Sequence, residues 1–128
     1  MRTPATIAAA LILPAAVFAL PDGLDVDYGW VPQAIAPVDY NDDGLHDLAV
    51  VYAFTDNLVI LRQLPEGGFV PAFDFDVGRF NGIINDLPRD LVVRDFTHDG
   101  AEDVLVLTSG NPDLGTRGSI QLFEGTPS

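Results

Sequence analysis

Two stretches of this sequence place oxygen-bearing side chains at one fixed spacing: DYNDDGLHD from Asp39 and DFTHDGAED from Asp95. With each leading aspartate as position one, oxygens recur at positions one, three, five and nine. They belong to Asp39, Asn41, Asp43 and Asp47 in the first stretch, and to Asp95, Thr97, Asp99 and Asp103 in the second. Alternate side chains of a tightly curled loop point inward, and a main-chain carbonyl at position seven (Leu45, Ala101) can add a further oxygen. Glycine at position six, Gly44 and Gly100, allows the sharp bend that other residues resist. An all-oxygen, multi-carboxylate and flexible cradle suits Ca²⁺, whereas Mg²⁺ demands stricter octahedral geometry and keeps more water. The chain has no cysteine, which argues against zinc or copper. His46 and His98, at positions eight and four, read as solvated loop residues that point away from the cation.

Two other readings compete. An EF-hand needs a bidentate glutamate at position twelve and a helix on either side. Position twelve here is Val50 and Val106, each inside an apolar, strand-like run, so that reading fails. Asp-rich loops can also be plain turns, with carboxylates capping nearby backbone amides. One loop would leave that alternative even; two in register, each with aspartate at position nine, favour the cation.

The elements that must position these loops are strands. Apolar residues come in short runs separated by Gly, Pro, Asn and Asp, and no stretch has helical periodicity. The sequence predicts strands at Leu24–Trp30, Gln33–Val38, Asp47–Ala53, Leu58–Gln63, Phe69–Phe75, Asp90–Arg94, Asp103–Thr108 and Ser119–Phe123. LAVVYA, LVIL, LVV and VLVL are continuously apolar, which marks strands covered on both faces. In an antiparallel protein that means sheets stacked on sheets. The two loops and the strands after them align at an offset of 56 residues, pairing Asp39 with Asp95, Tyr40 with Phe96, Gly44 with Gly100 and Asp47 with Asp103. A period of that length signals a repeated supersecondary unit.

DYNDDGLHDLAVV and DFTHDGAEDVLVL resemble the integrin-α-type FG-GAP/VCBS repeat, and GGFVPAFDFDVG resembles its outer strand and the link to the next unit. The resemblance implies an all-β, antiparallel fold of propeller type, with each loop joining the first two strands of a four-stranded blade and binding Ca²⁺. Residues 20–128 then supply about two blade equivalents, a partial β-propeller. Thr97 departs from the usual Asn or Asp, and a hydroxyl is a poorer ligand, so the second loop is expected to be the weaker site. Two blades cannot close a ring that takes typically four to eight. The expectations are therefore a piece of a larger propeller, several copies assembling through unpaired blade strands, or a small two-sheet module.

Composition narrows the partners. Nineteen acids against six bases, none of them lysine, give a formal charge of −13, and sixteen of the acids are aspartate. Such a surface repels nucleic acid and anionic lipid. Yet 48% hydrophobic residues is the content of a folded domain and not of an acidic tail. Residues 1–19 read as a secretory signal: Arg2, an uncharged apolar run from Ala5 to Leu20, and Val17-Phe18-Ala19 before a cut after Ala19. A retained anchor is the alternative, but the run is short of the roughly 20 residues a span needs. No membrane span is then expected after cleavage, and the mature protein is secreted or extracytoplasmic.

Three functions fit to different degrees. A secreted module with structural Ca²⁺, binding or adhering to an extracellular protein or glycan, follows from the resemblance. A carbohydrate-binding propeller assembled from several chains would need aromatic platforms, for which Tyr28, Trp30, Tyr52, Phe54 and Phe80 are candidates. An enzyme fits worst: the only histidines sit in the loops, and neither Ser109 nor Ser119 has a G-x-S-x-G context. Affinity for Ca²⁺ is expected on the order of 10⁻⁴–10⁻³ M, as in extracellular modules.

Overall fold

The computed structural model describes residues 31–77 and 86–128; the signal expected at residues 1–19, the strand expected at Leu24–Trp30, and Tyr28, Trp30 and Phe80 lie outside them. Seven antiparallel strands form two meandering sheets. The first sheet is β1 (Pro32–Val38), β2 (Asp47–Tyr52), β3 (Asn57–Gln63) and β4 (Phe69–Asp76), side by side in chain order. The second is β5 (Pro88–Arg94), β6 (Asp103–Thr108) and β7 (Ser119–Phe123), again in chain order. The described residues contain no α-helix, only a 3₁₀ turn at Pro112–Leu114 capped by the Asn111 side chain. β6 and β7 have the bounds expected from the sequence, and the other five differ by one or two residues at one end. The described residues do not form a closed propeller; they form one four-stranded and one three-stranded sheet.

Pleating decides what packs. Ala49 and Val51 of β2 sit opposite Ile60 and Leu58 of β3, and all four face the second sheet. Leu91, Val104 and Val106 meet them there, so one buried cluster joins the two sheets. The other face of the first sheet carries a second cluster, Val50, Tyr52, Val59 and Leu61. Both faces of β2 and β3 are thus buried, which is why LAVVYA and LVIL read as unbroken hydrocarbon. The second sheet differs. On its outer face Val92 pairs with Leu105, Leu105 with Leu122, and Leu107 with Ile120. Val92, Leu107, Ile120 and Leu122 there are exposed.

The repeat extends to backbone irregularities. A bulge lies between Pro32 and Ala34 and another between Pro88 and Asp90, 56 residues on. Left-handed backbone recurs in pairs at the same offset: Val31 with Leu87, Asp42 with His98, and Gly44 with Gly100. The amide of Ala53 donates to the Val31 carbonyl at 2.9 Å, and that of Ser109 donates to the Leu87 carbonyl at 3.1 Å. Left-handed conformations are unfavourable for β-branched and bulky residues such as Val31 and Leu87. Their recurrence at equivalent points marks the same strand entry in both sheets.

The loops and the chain end knit the sheets together. The Asp39 amide donates to Glu102 Oε2 at 2.7 Å, joining the first loop to the second. After β7 the chain crosses back: the Thr126 amide donates to the Tyr40 carbonyl at 2.8 Å, and the Ser128 hydroxyl to Asp42 Oδ2 at 2.7 Å. Gly125 makes the crossing possible, because a Cβ there would collide with the Glu102 main-chain oxygen. Gly125→Ala is expected to cost about 1–3 kcal/mol through this overlap. A fall in the denaturant midpoint at unchanged slope would show it.

Candidate metal centre

Each loop is folded by its own carboxylates. In the first, Asp39 accepts the Asp43 amide at 3.0 Å and the Gly44 amide at 2.8 Å. Asp43 accepts the Leu45 amide at 2.9 Å and the Asn41 side-chain amide at 3.1 Å. In the second, Asp95 accepts the Asp99 and Gly100 amides at 3.2 and 3.0 Å, and Asp99 accepts the Ala101 amide at 2.9 Å. Positions one and five thus cap the amides at five, six and seven in both copies. Side-chain capping is a real part of both loops, as the plain-turn reading requires.

Position nine separates them. Asp47 is fully buried at the start of β2. Its Oδ1 accepts the Gln63 amide at 2.7 Å, while its Oδ2 is buried without a hydrogen-bond partner. One carboxylate oxygen from each of Asp39, Asp43 and Asp47 lies within 4.8 Å of the other two. The side-chain oxygen of Asn41 is likewise buried and unpartnered. An unsatisfied buried acceptor costs about 1–3 kcal/mol, more when charged. Burial pushes the Asp47 carboxyl above its ordinary 3.8; the Gln63 and Tyr40 amides oppose this, and the Asp43 and Asp39 charges reinforce it. The chain has converged three acids and left the innermost short of a partner. These three aspartates could hold a metal ion.

Asp103 is also fully buried, but every one of its needs is met. Its Oδ2 accepts the Phe96 and Thr97 amides at 2.8 and 3.0 Å, and its Oδ1 the Gly125 amide at 2.9 Å. Burial works to raise its pKa, but the Gly125, Thr97 and Phe96 amides, with the Thr97 hydroxyl, outweigh burial and bring it below 3.8. Thr97 therefore serves Asp103, not a cation. Asp95, Asp99 and Asp103 are not drawn together as the first trio is; among the described residues only Asp39, Asp43 and Asp47 converge in that way.

The remaining predicted residues fall as follows. Leu45 is half-buried and Ala101 fully buried, and the amide of each holds the carboxylate two residues before it. His46 and His98 are exposed. Of the candidate sugar platforms among the described residues, Tyr52 is buried and only Phe54 is exposed. Sequence reasoning missed Gln63, whose side-chain oxygen accepts the His46 amide at 3.0 Å while its own amide holds Asp47. It also missed Glu102 and Asp56. Asp56 is buried between β2 and β3, where its carboxylate accepts the Asp86 and Leu87 amides at 3.2 and 3.0 Å and ties the first sheet to the entry of the second. These partners lie 16 to 63 residues apart, so no local spacing announces them.

No family model, curated protein or solved structure matches this chain. The site is therefore read from its own chemistry.

Proposed function

We propose that this chain is an exported, non-catalytic binding or adhesion module of FG-GAP/VCBS repeat type, stapled by one Ca²⁺ in the first loop. The observation that carries the metal is the pair of buried, unpartnered oxygens, Asp47 Oδ2 and Asn41 Oδ1, beside the converged carboxylates of Asp39 and Asp43. A divalent cation offsets the repulsion among the three acids and satisfies both acceptors. Oxygen donors alone favour Ca²⁺ over zinc or copper.

The staple stabilises more than a turn. Asp39 is tied to Glu102 across the sheets, and the chain end returns to Tyr40 and Asp42 beside it. A cation here braces the junction of the two sheets, in a chain that has no disulfide. The sheets are read as successive propeller-type blades, the second without an outer strand among the described residues. Signal-directed export and an extracellular protein or glycan as partner belong to the same reading, as does self-association through unpaired strand edges. Among the described residues no helix is long and apolar enough to cross a membrane.

Thermal unfolding in Ca²⁺ and in EDTA tests the metal. A ligand at a hundredfold excess over its Kd adds about 2.7 kcal/mol to the folded state. That raises Tm on the order of 10 °C for a domain of this size. A cooperative melt indifferent to Ca²⁺ would leave both loops as capped turns.

A further inference from the structure

The two sheets that face each other are unequal, four strands against three, and the mismatch leaves a lane. Phe73 and Phe75 of β4 sit opposite Ile60 and Leu58, on the face turned toward the second sheet. Ile60 and Leu58 are 3% and 0% exposed, yet Phe73 and Phe75 remain 47% and 36% exposed. The reason is geometric. Phe75 touches Phe123 of β7 with ring centroids 5.4 Å apart, and β7 is the last strand of its sheet. β4 overhangs that edge, with no strand of the second sheet beneath it among the described residues.

The space under the overhang is a cleft of about 220 Å³. Its aromatic wall is continuous: Tyr40 meets Phe73 edge-on at 5.4 Å, and Phe73 stacks on Phe75 at 5.5 Å. Glu102 and Glu124 also line it, and no basic side chain does. In the first sheet the strand that corresponds to β7 is β3, and its outer edge is taken by β4. Among the described residues β7 has no such neighbour, and an unpaired edge is a template for another extended chain.

We propose that this lane receives an extended strand from a basic partner polypeptide. Its main chain pairs with the edge of β7 that no described strand occupies, the mode of recognition in which an added strand gains main-chain hydrogen bonds and alternate side chains supply specificity. Apolar side chains on one face lie beneath Phe73 and Phe75, and basic ones reach Glu102 and Glu124. Self-association is left to the other strand edges: at β7 a second copy of this chain is the poorer occupant, since it brings a charge of −13 to an acidic groove. The proposal deepens the binding-module reading and rests on it.

A labelled short peptide alternating valine with arginine, followed by fluorescence anisotropy in excess Ca²⁺, is the test. Saturable binding is expected. The same peptide N-methylated on alternate amides keeps its charge but cannot pair as a strand, and should bind about tenfold more weakly or worse. Glu124→Lys, at an exposed position, should weaken the unmodified peptide by about tenfold. Equal binding of the two peptides, or indifference to Glu124→Lys, would reduce the effect to nonspecific charge and overturn the proposal. So would a dimer that excludes the peptide, or an oligosaccharide that binds where the peptide does not. A chain whose melt responds to Ca²⁺ but which ignores the peptide removes the strand and keeps the metal. Peptide binding by a chain indifferent to Ca²⁺ does the reverse.

Discussion

Asp47→Asn is expected to melt higher than the wild type in EDTA and to lose its response to Ca²⁺. Asparagine keeps an oxygen for the Gln63 amide that Asp47 Oδ1 now accepts. Its amide nitrogen takes the place of Oδ2, which is buried without a hydrogen-bond partner, in a carboxylate that lies close to those of Asp39 and Asp43. A buried acceptor between two acids becomes a donor to them, and one of three mutually repelling charges is removed. The gain is about 1 kcal/mol, the net worth of one such hydrogen bond, or a rise of about 4–8 °C. With the innermost ligand neutral, added Ca²⁺ should then move Tm little. Paired melts of wild type and variant, in EDTA and in saturating Ca²⁺, read both effects. A variant that melts lower in EDTA would mean that the Asp47 charge already has a partner without metal.

The same substitution at the equivalent position should do the opposite. Asp103→Asn sets an amide donor against amide donors, because the Phe96, Thr97 and Gly125 amides engage both carboxylate oxygens. Either orientation of the asparagine leaves at least one buried N–H facing another. The loss is about 3 kcal/mol, the range for a buried hydrogen-bond network to a charged group, and it should appear in EDTA and in Ca²⁺ alike. The pH dependence follows from the lowered pKa of Asp103. The unfolded chain holds the proton more tightly than the folded one, so the stabilisation is present above the ordinary 3.8 and lost as pH falls through the lower folded value. In an acid titration of stability, wild type and Asp103→Asn should therefore converge at the lowest pH. A constant gap would assign the loss to packing.

That contrast shows where sequence reasoning reaches and where it stops. The loops were legible because positions one, five and six act locally, through contacts of two to five residues that spacing encodes. The strands were legible because the apolar runs of β2, β3 and β6 are long and end at turn residues. Thr97 marked the second loop as different from the first, and in the structure its amide and hydroxyl serve Asp103. What decides position nine was not legible. Asp47 and Asp103 look alike in sequence, and their difference rests on amides brought in from neighbouring strands and from the chain end. The continuous hydrocarbon of LVV and VLVL predicts two covered faces for the second sheet as for the first. In the structure its outer face shows Val92, Leu107 and Ile120 to solvent, because a run of apolar residues records what a strand requires and not what is present to cover it.

The meander topology also has a kinetic side. Every described strand pairs only with its neighbours in the chain, so each sheet can assemble through short hairpin closures. Hairpins of this kind form in about 1–10 μs. The bonds from Asp39 to Glu102 and from Ser128 to Asp42 close loops of 63 and 86 residues, whose entropy must be lost before the contacts repay it. These contacts at the junction between the sheets are therefore expected to form late. A cation bound there would act mainly on the rate of unfolding, lengthening the life of the folded state without hastening its birth.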